Sequence, residues 1–244
     1  STQSFSIHAP ALKSGLAWGV NFSHDQIGPS RNIVAGGTGA YIIKFDESKL
    51  AFGLRAGIYN TVLDRSLLNF KETSDQLDIG GKESAMVPSF DFGAYYYKTK
   101  FYAGLSINHL TKHTFDFKDY ADTVVTNMVL RRHLMVNAGY VWELKRNFIL
   151  KPSFMLKAVP GAPVNLDVNL SALLYKRVWL GFSVRNTSSV VLMTDVNVTD
   201  FMRLGYAYDI SLNKLSTYNK GSHEFFIGFD FNLKNTQTIS PRYL

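Results

Sequence analysis

The sequence predicts an all-β protein, an antiparallel up-and-down transmembrane β-barrel of about fourteen strands. Three observations predict it. Apolar and polar residues alternate with period two almost from end to end. The alternating segments run to about ten residues, the length needed to cross a bilayer at a tilt and longer than the usual soluble strand. The connections between them sort into short ones and longer ones in turn. Composition agrees: of 244 residues 46% are hydrophobic and 14% aromatic, yet the mean hydropathy is only −0.04. No apolar run approaches the ~18 residues of a membrane-spanning helix. Zero cysteines exclude a disulfide scaffold and thiolate metal sites.

Taken in order, the alternation gives about thirteen strands, at 3–9, 13–23, 32–45, 49–62, 87–97, 100–109, 132–143, 147–157, 164–175, 178–185, 189–198, 201–209 and 223–234. In the second, Leu16, Trp18, Val20 and Phe22 oppose Gly15, Ala17, Gly19 and Asn21. In the fourth, Leu50, Phe52, Leu54, Ala56 and Ile58 oppose Ala51, Gly53, Arg55, Gly57 and Tyr59. Leu134, Val136, Ala138, Tyr140 and Trp142 carry the apolar face of the seventh, and Leu166, Val168, Leu170, Ala172 and Leu174 that of the ninth. In the last, Phe225, Ile227, Phe229, Phe231 and Leu233 face away from Glu224, Gly228, Asp230, Asn232 and Lys234. No stretch shows a 3.6-residue period with helix caps.

Short connections follow the odd-numbered strands, at 10–12, 46–48, 98–99, 144–146, 176–177 and 199–200. Longer ones follow most even strands, notably 63–86, 110–131 and 210–222, although 158–163 and 186–188 are short. An up-down chain therefore puts the short turns on one rim, as in outer-membrane barrels with short periplasmic turns. Aromatics crowd that rim: Tyr41, Phe45, Tyr96, Tyr97, Phe101, Tyr102, Trp142, Phe148, Tyr175, Trp179 and Phe201 are expected as an interfacial girdle. The polar face carries charge (Arg55, Asp91, Glu143, Lys151, Lys157, Asp167, Arg185, Arg203, Asp209, Asp230) and many glycines. The charges either line a pore or pair with one another. The glycines either leave room in the lumen or bend the strands. Residues 1–234 are expected as one barrel domain and 235–244 as a periplasmic tail. An even strand number with both ends periplasmic predicts one further strand upstream of Ser1.

Catalysis finds no support, and neither a catalytic, a metal nor a cofactor site is expected. GxSxG, HExxH and P-loop motifs are missing. His109 and His113 flank a strand end, where residues four apart stand about 13 Å from each other. Ser222, His223 and Glu224 are neighbours in a strand and point to alternate faces, so they cannot converge as a triad. The net charge of +7 comes from residues scattered over turns and strand ends rather than a stripe, so no nucleic-acid partner is expected. Lys44, Lys49, Lys98, Lys100, Lys145, Arg146, Lys176 and Arg177 ring the short-turn rim, where they suit anionic lipid head groups or an acidic partner.

Residues 201–234 resemble the closing segment of the PorP/SprF family of Bacteroidota outer-membrane proteins. The resemblance is carried by Gly205-Tyr206-Ala207-Tyr208-Asp209 and by Gly221-Ser222-His223-Glu224. Further similar segments are Ile27-Gly28-Pro29-Ser30-Arg31-Asn32, Gly93 to Tyr97 with Phe101 to Ser106, Pro152-Ser153, Trp179-Leu180-Gly181 with Arg185, and Ser240 to Tyr243. The resemblance runs in order along essentially the whole chain. It implies a secretory signal and an Asn-Pro-Ala-rich segment ahead of the strand similar to Thr2–His8, and residues 1–10 contain neither. It implies a non-enzymatic component of the type IX secretion system. Such members support secretion or surface attachment of large gliding adhesins. The partners it implies are outer-membrane lipid, cargo with a type IX C-terminal domain and periplasmic ring proteins.

Gly28, Pro29 and Arg31 are expected in the outer loop after the second strand. Gly205, Tyr206, Tyr208, Asp209, Gly221, Ser222, His223 and Glu224 are expected around the last outer loop. With the upstream strand restored, both motifs share one sector of the outer rim, as a candidate docking surface for cargo. The alternative at the level of function is an outer-membrane channel or small-molecule transporter.

Overall fold

The computed structural model describes residues 1–11, 15–67, 81–118, 124–186, 189–213 and 221–231, and side chains are not described at 115–118 and 124–128. Among these residues there is no α-helix, and hence none long and apolar enough to cross a membrane. The strands are β1 (Thr2–Pro10), β2 (Leu16–Ile27), β3 (Ser30–Lys44), β4 (Ser48–Asp64), β5 (Lys82–Lys98), β6 (Phe101–Asn108), β7 (His113–Lys118) and β8 (Val124–Leu130). They continue with β9 (His133–Tyr140), β10 (Trp142–Lys145), β11 (Phe148–Ala158), β12 (Asn165–Leu174), β13 (Val178–Arg185), β14 (Ser189–Asn197), β15 (Met202–Ser211) and β16 (Ser222–Phe229). One sheet of 14 strands runs in the order β1-β2-β3-β4-β5-β6-β9-β11-β12-β13-β14-β15-β16, with β10 paired to β11. Each strand thus follows its neighbour in sequence, apart from the excursion β7–β8, which forms a two-stranded sheet of its own.

All thirteen expected strands are present, the seventh divided at Val141 into β9 and β10. Two connections differ from expectation. Residues 24–31 are not a loop: β2 and β3 pair down to Ile27 opposite Ser30, leaving a two-residue turn at Gly28-Pro29. Gly28 takes φ 56°, a conformation glycine adopts without the Cβ penalty. Residues 110–131 hold the β7–β8 hairpin, and Leu130 at its end packs against Tyr59, Leu63, Ala85 and Val87 of the long β4 and β5. The expected tail 235–244 lies outside the described residues.

The chain divides into two compact units. The first comprises Ser1–Ile43, Leu50–Ala94 and Ser106–Leu134; the second comprises Lys44–Lys49, Tyr95–Leu105 and Met135–Leu244. In both, burial inverts the order of a soluble protein. Among the described residues the buried polar set is Thr61, Arg65, Ser89, Asp91, Asp167, Ser183 and Ser189, against only Tyr97, Leu130, Val141 and Leu173 among apolar residues. Meanwhile Leu54 is 63% exposed, Val168 53%, Leu180 48% and Phe225 82%. Exposing one such side chain to water costs about 1.5–3 kcal/mol relative to burying it, so a face this apolar needs a hydrocarbon solvent.

Candidate functional site

The polar face of the second unit is built as a set of closed electrostatic contacts. Asp167 (β12) accepts from Lys157 Nζ (β11) at 2.7 Å and from Arg185 Nε (β13) at 3.2 Å. Arg185 reaches on across β14 to Asp209 (β15) at 3.3 Å, over the small, buried Ser189. Further along the same face, Arg203 lies 3.4 Å from Asp230 and 4.0 Å from Asp195. Lys151 sits 4.1 Å above the Trp179 ring. In the first unit Arg55 and Asp91 pair at 2.6 Å. Of the two readings open to the sequence, pairing is the one found. Removing a charge from water in a low-dielectric wall is costly, and a partner within reach offsets that cost.

The glycines of this face are occupied too. A Cβ on Gly139 would run into the Tyr102 ring, and one on Gly104 would stand 2.6 Å from Asn137 Oδ1 and 2.9 Å from the Tyr95 ring. Tyr95 stacks on Tyr102 at 6.0 Å and meets Tyr97 at 5.6 Å. Gly205 and Gly228 seat Phe226, whose ring lies 5.7 Å from the Arg203 guanidinium. At Gly104, Gly139, Gly205 and Gly228 the room left by the absent side chain is thus taken up by a neighbouring aromatic ring. One consequence corrects the expected girdle: Tyr97, Tyr102 and Trp179 belong to the polar face, where they contact Lys49, Gly139 and Lys151. Tyr41, Phe45, Trp142, Tyr175 and Phe201 are exposed, as a girdle requires.

The motif residues have distinct roles. Across the β15–β16 ladder Tyr206 stands opposite Phe225 and Tyr208 opposite His223. Tyr206 Oη lies 2.9 Å from His223 Nδ1, and the His223 ring stacks on Tyr208 at 4.7 Å. Asp209 points to the other face, into the contact with Arg185. Gly205 makes room for Phe226. Gly221 holds φ 102°, and a Cβ there would approach the Asp209 carbonyl oxygen to 2.5 Å. Ser222 stands opposite Asp209 and Glu224 opposite Ala207, both exposed. His223 and Glu224 therefore sit on opposite faces, as the strand period requires.

Gly28-Pro29 form the β2–β3 turn, with Pro29 carbonyl accepting from Asp64 N at 2.9 Å, and Arg31 is exposed opposite Gln26. This motif belongs to the first unit and the Gly205–Glu224 motif to the second. The loop 214–220 lies outside the described residues.

A cluster that sequence reasoning passed over surrounds His109. Its ring Nδ1 is 3.0 Å from Ser89 Oγ, its backbone N–H donates to Asp91 Oδ1 at 2.8 Å, and its ring meets those of Tyr59 and His133 edge-on at 5.8 Å each. Ser89 is fully buried, so the pair is closed to a substrate and cannot serve as a nucleophile and base. Among the described residues no group of three or more His, Asp or Glu could hold a metal ion.

Comparison with known proteins places the chain. The family model described as type IX secretion system membrane protein PorP/SprF matches residues 1–229. The chain belongs to that family. No curated protein matches it. Among solved structures it is similar to the Ralstonia pickettii toluene transporter TbuX, with a TM-score of 0.52 at 10% identity, over 92% of this chain and 78% of that one. At that identity the likeness is one of fold. This PorP/SprF chain has the fold of a transmembrane β-barrel and is a membrane component of the type IX secretion system.

Proposed function

We propose that the protein is a non-enzymatic, integral outer-membrane barrel that supports secretion or cell-surface attachment of large cargo proteins through protein–protein contact. The observation that carries this reading is the family match over residues 1–229. The polar face supports it: the charges of β11–β15 pair with one another and the Ser89–His109 contact is buried. The exposed Ser222 and Glu224, on the face of β16 opposite the His223–Tyr208 stack, are the residues offered to cargo at the start of β16. Gly28, Pro29 and Arg31 are a second proposed contact.

Purification of the intact protein from native membranes is expected to retain one large secreted protein with a type IX C-terminal domain. Retention undiminished after residues 213–221 are replaced by a Gly/Ser linker, in an inserted barrel, would remove the docking role. A stable open conductance in planar bilayers without a retained cargo would favour a channel instead.

A further inference from the structure

Two neighbouring short turns of the second unit bring four cations together. Lys145 ends β10 and Arg146 follows it in the turn to β11, while Lys176 and Arg177 lie between β12 and β13. A backbone hydrogen bond from Tyr175 N to Asn147 O, 2.9 Å, joins the two turns directly. The second turn is closed by Arg177 N donating to Leu174 O at 3.0 Å. Tyr175 and Lys176 both adopt positive φ, 51° and 57°, the geometry of a tight primed hairpin turn. Asn197 fastens it from β14, its N–H donating to Arg177 O at 2.8 Å. All four basic side chains are exposed, and among the described residues none of them makes an ion pair. Elsewhere on this rim Lys100 is answered by Glu143 at 3.7 Å. Immediately beside the four cations stand Trp142, 56% exposed, and Tyr175, 75% exposed.

We infer that this pair of turns is a binding site for anionic phospholipid head groups. Four unpaired cations on a backbone-locked platform match a phosphodiester carrying net negative charge. The adjoining amphipathic rings are what the head-group level of a bilayer selects, whereas an acidic protein would have no need of them. The inference rests on the outer-membrane reading above, with this short-turn rim at the periplasmic leaflet.

The test uses the refolded, full chain in nanodiscs, with heat-modifiable gel mobility as the check on a folded barrel. Native mass spectrometry titrates dioleoyl phosphatidylglycerol against dioleoyl phosphatidylcholine. The wild type is expected to prefer phosphatidylglycerol about tenfold, and the preference should shrink in 0.5 M salt, the screening length there being about 4 Å. The K145Q/R146Q/K176Q/R177Q variant should lose the preference, while K44Q/K98Q on the same rim should keep most of it. Equal binding of the two lipids by a folded wild type, an unchanged preference in the fourfold variant, or equal loss in both variants overturns the site. So does an acidic protein that takes the four cations in place of lipid. A chain that never gains heat-modifiable mobility overturns the membrane reading itself and the site with it.

Discussion

The polar face of β11–β15 and that of β1–β3 solve the same problem in opposite ways. Across β11–β15 the face is charged, and Lys157, Asp167, Arg185 and Asp209 link four strands through contacts of 2.7–3.3 Å. Across β1–β3 it is small and neutral for most of its length: Ser4 and Ser6 stand opposite Ser23 and Asn21, and Gly19 stands opposite Thr38. There the side-chain contacts are hydroxyl-based: Ser4 and Ser23 at 3.4 Å, and Thr2 donating to Asp25 at the strand end. The difference teaches where stability is concentrated. A charged wall is stiff and intolerant because each ion depends on its neighbour, while a hydroxyl wall has little to lose at any one position.

The largest effect that could break this contrast is expected at Asp167. Asp167→Ala leaves Lys157 without its partner and Arg185 with only Asp209, and should lower stability by about 2–4 kcal/mol in urea unfolding of the vesicle-inserted barrel. A loss no larger than that of a surface variant would end the idea of a coupled wall. Next comes Gly139→Ala, where the new methyl meets the Tyr102 ring. A loss of about 1–3 kcal/mol is expected, with most of it recovered in the Tyr102→Ala double variant. If the double variant is as unstable as the single one, the ring is not what the glycine accommodates.

Gly221→Ala should cost about 1–2 kcal/mol, since φ 102° and the Asp209 carbonyl both exclude a Cβ. Limited proteolysis at the last loop would show it first.

The smallest change belongs to the neutral wall: Ser6→Ala should stay within about 0.5 kcal/mol of the wild type. A larger loss there would erase the contrast.

Much of the fold was legible because alternation is a local signal. Leu166, Val168 and Leu170 declare one face of β12 without reference to any other strand. Pairing was harder to read. Asp167 and Arg185 are nine residues either side of Lys176, and only the register of that hairpin sets them opposite each other. Tyr97, Tyr102 and Trp179 depart from the expected girdle for a related reason: nearness to a turn is visible in the sequence, but the face a ring occupies depends on the exact strand phase. The β7–β8 hairpin is harder to read because the alternation of Phe115 and Phe117 in β7 is short and the apolar residues of β8, Val124, Val125, Met128, Val129 and Leu130, fall on both faces.

By itself the sequence determined the all-β class, the thirteen strand positions, the inverted polarity and the resemblance to PorP/SprF. All of these rest on relations between residues one or two positions apart, or on motifs contiguous in the chain. Only the tertiary structure decided that the charges close on one another, that Tyr and Phe rings fill the glycine sites, and that Lys145-Arg146 and Lys176-Arg177 share one platform. These depend on register and on the meeting of separate hairpins, which hydrogen-bond geometry fixes across strands and periodicity along a strand does not contain.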